Sequence, residues 1–216
     1  KLLADKGFSL DLWVYEKEVK EQIEKERQNR LFLPDVVLPS RITPYNDLET
    51  VVKGKELVLV VVPSHCMREV AGNMNGILSD NTIVVSASKG IENKTHLTML
   101  KVLKEKVENL DNGHLAVLSG PSFAKEVANQ APTVVAAASS DSQTGRYVQK
   151  IFSSPCFRVY VNDDPVGVEI GGAVKNVIAI AAGICDGMGL GYNARAALIT
   201  RGLAEMKRLG AQLGAD

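Results

Sequence analysis

Between residues 9 and 162 the chain repeats one pattern: a short apolar run rich in β-branched residues, a break of small or polar residues, then an amphipathic stretch. SLDLWVY (9–15), ELVLVVVP (56–63), TIVVSAS (82–88), HLAVLSG (114–120), TVVAAAS (133–139) and FRVYVN (157–162) read as strands. ELVLVVVP is the most continuously apolar and is expected to be the clearest buried strand. EKEVKEQIEKERQ (16–28), SHCMREVAGNMNGIL (64–78), THLTMLKVLKEKVENL (95–110), SFAKEVAN (122–129) and SQTGRYVQKIFSS (142–154) read as the intervening helices. Thr95 and Ser122 are the expected caps of two of them. Strands buried on both faces and separated by helices predict an α/β chain with a doubly wound, mostly parallel sheet and right-handed crossovers. Such sheets bind ligands beyond the carboxyl ends of their strands, which singles out the loops VYEK, PSHC, SKG and SGPSF.

After Asp164 the pattern stops. No strand signal remains between 165 and 216, where a long Ala/Gly/Ile helix leads through GMGLGYN (187–193) into a second helix, ARAALITRGLAEMKRLG. The expected organisation is therefore residues 1–165 as a nucleotide-binding type of domain and 166–216 as the first, incomplete part of an all-helical one. GMGLGYN contains GxGxG, but a phosphate loop needs a strand before it and a helix after it. Here a helix precedes it, so the segment reads as a helix–helix turn.

Bulk properties exclude several functions. The 25 basic residues balance 25 acidic ones, so no general field draws in nucleic acid or an anionic membrane. Cys66, Cys156 and Cys185 are odd in number and lack CxxC spacing, and His65, His96 and His114 are scattered; neither a disulfide framework nor a metal centre is expected, and a reducing cytosol fits. Lys175 interrupts the most apolar run, so no membrane span is expected, and the charged start KLLADKGFSL does not read as a signal peptide. The expectation is a soluble, cytoplasmic protein.

Lys175 is the sharpest local anomaly, a single cation in EIGGAVKNVIAIAAGICDG (169–187). It could snorkel to solvent, or the helix could be half buried. It could instead face a cleft, with Gly171 and Gly172 thinning the helix and Asn176 beside it to bond a substrate. There, desolvation and a second cation, Lys89, would lower its pKa towards general acid–base chemistry. Lys89 follows a strand in SASKG, as either a rim residue or a cation for an anionic ligand. Gly120 and Ser122 stand in SGPSF, where Gly120 would let a ligand approach the backbone. His65 could line the same cleft or be merely exposed. Tyr15, Glu16 and Lys17 occupy the position after a second strand where NAD or NADP is chosen: Glu16 suits a ribose diol and Lys17 a 2′-phosphate, so the choice stays open.

Taken together, VVVPSH, SASKG, LSGPSFAKEVA, the FLPDVVLP loop and VGVEIGGAVKNVIAIAAGICDGMGLGYNARAALITRGLAEM resemble the bacterial NAD(P)-dependent glycerol-3-phosphate dehydrogenases, over essentially the whole chain. The resemblance implies a Rossmann-like fold, NAD or NADP as cofactor, and interconversion of sn-glycerol 3-phosphate and dihydroxyacetone phosphate for phospholipid synthesis. It implies Lys175 as the proton-transferring residue, with Lys89, Gly120, Ser122, Lys175 and Asn176 at the substrate. It places Lys89, Ala124, Tyr15 and Pro63 at the cofactor. A homodimer is compatible with it. The family's Gly-rich first turn would precede residue 1, and its later substrate-binding Asp and Arg-Asn pair would follow residue 216. The 216 residues alone are therefore expected to be inactive or nearly so. Another two-domain hydroxyacid dehydrogenase, which also sets a helix lysine against a nucleotide cleft, is the alternative.

Overall fold

The computed structural model describes residues 1–216. A short helix α1 (Leu2–Asp5) leads into β1 (Leu10–Trp13), then the charged helix α2 (Lys17–Glu26). Next come the short pair β2 (Gln28–Asn29) and β3 (Leu33–Val37), the strand β4 (Ile42–Tyr45) and α3 (Leu48–Val52). FLPDVVLP is thus not a loop: most of it forms β3, antiparallel to β2. β4 is parallel to β1, with Leu10 opposite Ile42 and Trp13 opposite Tyr45. The sequence reading missed β4 because ITPY carries a proline and sits alone in a polar stretch.

The main sheet has the order β5 (Leu57–Val60), β6 (Ile83–Ser86), β7 (Leu115–Ser119), β8 (Thr133–Ala138) and β9 (Phe157–Asn162). Side chains alternate between its faces as the two-residue strand period requires. Val84 and Val117 join α4 (Met67–Met74) and α5 (Met99–Lys106) in one core. Val85, Ala116 and Leu118 join α7 (Ser142–Phe152) in the other, against which Leu2 and Leu3 of α1 also pack. The sheet is therefore doubly wound. A third, smaller core joins Ile23 of α2, Val36 and Ile42 to Ala128 of α6 (Ala124–Ala128).

The sheet is mostly parallel, as expected, with three of its four pairings parallel; two details depart from the reading of the sequence. β8 runs antiparallel to β7, with Leu118 opposite Ala137, so the sheet is parallel only within β5–β7 and within β8–β9. Only the short α6 lies between β7 and β8, and it packs beside β3 instead of crossing the sheet, so the chain re-enters from the opposite end. β5 is the first strand in the order of this sheet, with Val60 buried and Leu59 exposed. α5 is capped at Thr98 and not at Thr95, whose hydroxyl instead bonds Glu92 within the preceding loop.

From Pro165 the chain is helical: α8 (Pro165–Gly187) and α9 (Gly191–Gln212) pack against each other. The Asp164 carboxylate accepts from Gly167 N at 2.8 Å, and Pro165 occupies the first turn, where its missing N–H costs nothing. GMGLGYN contains the turn between the two helices, with Gly189 and Gly191 at positive φ. Contrary to expectation, α8 is long and apolar enough to cross a membrane by length and composition, Lys175 notwithstanding. Within it only Glu169 and Ile170 are buried, and Val177, Ile180 and Ile184 are exposed. Of the alternatives open for this run, the helix is thus half buried, enclosed only in its first turns.

Candidate active site

β5 and β6 end in register, Val60 beside Ser86, and β7 runs two residues past Val117, the partner of Ser86, so their following loops leave the same end of the sheet. Val62 N donates to Ser88 Oγ at 2.9 Å, which ties the PSHC loop to the SKG loop. Gly90 has φ +147°, and a Cβ there would lie 2.6 Å from Ser64 Cβ, so only glycine lets these loops touch. The outer part of the SKG loop is held by Arg68 of α4. Its guanidinium forks onto the Glu92 carboxylate at 2.7 Å through both Nε and Nη2, and reaches Glu105 of α5 at 2.6 Å. These bonds hold the Glu92 carboxyl at about 2, well below the usual carboxylate range.

Within this frame Lys89 extends across the sheet edge and donates from Nζ to Gly120 O at 2.8 Å. Ser122 Oγ donates to the same carbonyl at 3.3 Å instead of capping α6, whose cap position is Phe123 with no side-chain bond. The expected helix cap at Ser122 is thus replaced by a local turn, because α6 begins two residues later. Gly120 owes its identity to the strand beside it. A Cβ there would lie 2.7 Å from Val134 O and 2.8 Å from Val135 Cα of β8.

α8 closes the other side. Its Gly172 rests on the end of β7: a Cβ would come within 2.6 Å of Ser119 Oγ and 3.8 Å of Lys89 Cγ. Lys175, about one turn further along, is half-buried and donates to Asn176 Oδ1 at 2.8 Å. The result is a cleft of about 310 Å³ with Lys89 on the sheet side, Lys175 on the helix side and Ser119 to Phe123 forming the floor and rim. No carboxylate lines it. The Lys89 ammonium is held below the usual lysine range, first by burial and then by repulsion from Lys175. Two cations sharing a half-open cleft without a counter-ion make a site for an anion.

The structure thus brings Lys89, Gly120, Ser122 and Lys175 into one cleft, with Asn176 on Lys175. Pro63, exposed at the cap position of the turn after β5, does not line it. Ala124 is exposed as the first residue of α6, directly after Phe123. Tyr15 stands apart, two residues past the end of β1, exposed, its ring edge-on to Trp13 at 6.1 Å. Glu16 is the cap position of α2 and Lys17 its first residue. His65 is exposed in a single 3₁₀ turn (Ser64–Cys66) and does not line the cleft.

Sequence reading singled out the SGPSF loop that holds Ser119 and Phe123 but missed Val168 of α8 as a wall residue, since it has no chemical signal of its own. It also passed over Glu169, the one charged residue fully enclosed by the fold. A carboxylate six positions before Lys175 in the same apolar run was a visible anomaly of the same kind. Its partner, 69 residues away, was not visible.

Comparison with known proteins places this geometry. Residues 1–145 match the family profile described as NAD-dependent glycerol-3-phosphate dehydrogenase N-terminus, and residues 164–216 match its C-terminus. The chain is 51% identical over 216 residues to a glycerol-3-phosphate dehydrogenase [NAD(P)+] of Syntrophobacter fumaroxidans, and 51% identical over 215 residues to the one of Geobacter metallireducens. In each case it spans 64% of the relative's length. The crystal structure of glycerol-3-phosphate dehydrogenase from Coxiella burnetii superposes with a TM-score of 0.89 at 40% identity, covering 100% of this chain and 65% of that one.

Proposed function

The chain belongs to the NAD-dependent glycerol-3-phosphate dehydrogenase family, and on that premise we propose that it carries the cofactor edge and the proton-transfer residue of an enzyme interconverting sn-glycerol 3-phosphate and dihydroxyacetone phosphate. The observation that carries the proposal is the meeting of Lys89 and Lys175 across one cleft with no carboxylate between them. An anionic triose phosphate suits such a cleft, and a neutral sugar has no use for it.

In this reading Lys175 moves the proton of the substrate hydroxyl, with Asn176 steering its ammonium, and Lys89 holds substrate and cofactor at the end of β7. Gly120 and Ser122 contact substrate. Pro63, Lys89, Ala124 and Tyr15 contact the cofactor, whose anionic groups fit a carboxylate-free sheet edge bearing ammonium groups. The nicotinamide of NAD or NADP supplies the hydride acceptor when bound. Lys175 takes the hydroxyl proton in the oxidation and returns it in the reduction. Residues 1–165 are the nucleotide-binding domain, and 166–216 begin the helical substrate domain. The product feeds glycerophospholipid synthesis. The protein is soluble and cytoplasmic; a buried Glu169 and a cleft-facing Lys175 support α8 as an enzyme helix rather than a membrane span.

The test compares oxidation of NADH or NADPH by dihydroxyacetone phosphate with reduction of NAD+ or NADP+ by 3-hydroxyisobutyrate, in an enzyme carrying these residues. Turnover of the hydroxy acid and none of the triose phosphate would replace this reading with the alternative.

A further inference from the structure

The buried carboxylate of Glu169 has no place in the proton transfer described above, yet its position joins the two halves of the cleft. It is 6% exposed, on the first turns of α8, and it accepts from Leu100 N of α5 at 2.9 Å. Leu100 lies in the first turn of α5, where amides have no partner along the helix. The first bond along α5 runs from Val102 N to Thr98 O at 3.0 Å. Thr98, the cap position, also closes the loop that presents Lys89: it bridges to Ile91, and Glu92 N donates to Leu97 O at 2.9 Å. One carboxylate therefore clamps the helix bearing Lys175 onto the root of the loop bearing Lys89.

The clamp is electrostatically coherent. A carboxylate at a helix N-terminus meets the positive end of the helix dipole and an orphan donor together. Burial still dominates and pushes the Glu169 carboxyl up to about 6, against the bonds from α5 and the charge of Lys101. A purely apolar contact would have packed α8 against α5 at no such cost. What the carboxylate adds is direction: the register of α8 is tied to one amide, while the glycine at 172 leaves its next turn free to settle on Ser119.

We propose that Glu169 is a positioning residue, which by binding the first-turn amide of α5 sets where Lys175 stands relative to Lys89. This rests on the reading of those two lysines as one site. The test follows Lys89 by site-resolved acylation against pH, read by mass spectrometry, and the Leu100 amide by hydrogen exchange. The proteins compared are the unaltered chain, Glu169→Met, Glu169→Gln and Lys175→Met.

Glu169→Met keeps the volume and removes the acceptor. Leu100 exchange is expected to rise at least tenfold while Leu103 stays protected, and the Lys89 labelling midpoint is expected to move up towards that of an ordinary lysine. Glu169→Gln retains one acceptor oxygen and should restore much of both. Should Glu169→Met fail to fold, Glu169→Gln decides alone, through a faster Leu100 exchange and a smaller shift of Lys89 in the same direction. Loss of stability with Lys89 unmoved would reduce Glu169 to a structural contact and overturn the proposal. Lys175→Met is the control: if it leaves the Lys89 midpoint unchanged, the two lysines are not coupled and the reading of the site itself is lost.

Discussion

Gly172→Ala probes the closest approach of α8 to the sheet. Two effects of similar size oppose each other. In a helix interior, alanine is favoured over glycine by about 1 kcal/mol. Against this, the new Cβ would sit 2.6 Å from Ser119 Oγ, and overpacking of this kind costs about 1–3 kcal/mol. Ser119 is only 9% exposed, so its hydroxyl has little room to turn away. The single variant should therefore lie between unchanged and about 2 kcal/mol less stable. Ser119→Ala removes the Oγ and leaves its Cβ at 3.8 Å from the new atom, an ordinary contact. In that background Gly172→Ala should become stabilising by about 1 kcal/mol. The assay is urea denaturation of the four members of this double-mutant cycle, where a coupling of about 1–3 kcal/mol is expected. If Gly172→Ala stabilises equally in both backgrounds, the helix does not rest on the end of β7, and the cleft is not built as described.

Other outcomes follow from the same geometry. Gly120→Ala should be far more harmful than Gly172→Ala, by about 2–4 kcal/mol, because the clash is with the backbone of Val134 and Val135 and no rotamer relieves it; thermal unfolding checks this. In an active enzyme carrying this chain, Lys175→Met should lower kcat by about 10²–10⁴ with little change in cofactor KM. Lys175→Arg should not restore it, since a guanidinium does not deprotonate. An unchanged kcat would remove Lys175 from the mechanism. The Glu169 carboxyl is raised from 4.5 to about 6, so the folded state binds its proton more tightly than the unfolded one. Its contribution favours folding below pH 4.5 and is lost as pH rises towards 6, a change of about 2 kcal/mol. Glu169→Gln should flatten the stability profile across that window in denaturation at fixed pH values.

The sequence by itself determined the alternation of strands and helices, the change to helices after Asp164, the turn at GMGLGYN, and the few cationic and glycine positions worth watching. These are local properties, carried by side-chain periods of two and 3.6 residues and by flanking turn residues. Only the tertiary structure decided that β8 runs antiparallel and that the caps fall at Thr98 and Phe123. Each depends on which strand edge or helix end is free when a distant segment arrives. Lys175 is the plainest case. Its anomaly was legible in nineteen letters, but the cation it faces is 86 positions earlier, and the carboxylate that holds its helix binds an amide 69 positions away. A single chain records which groups are costly to bury; only packing determines what they are buried against.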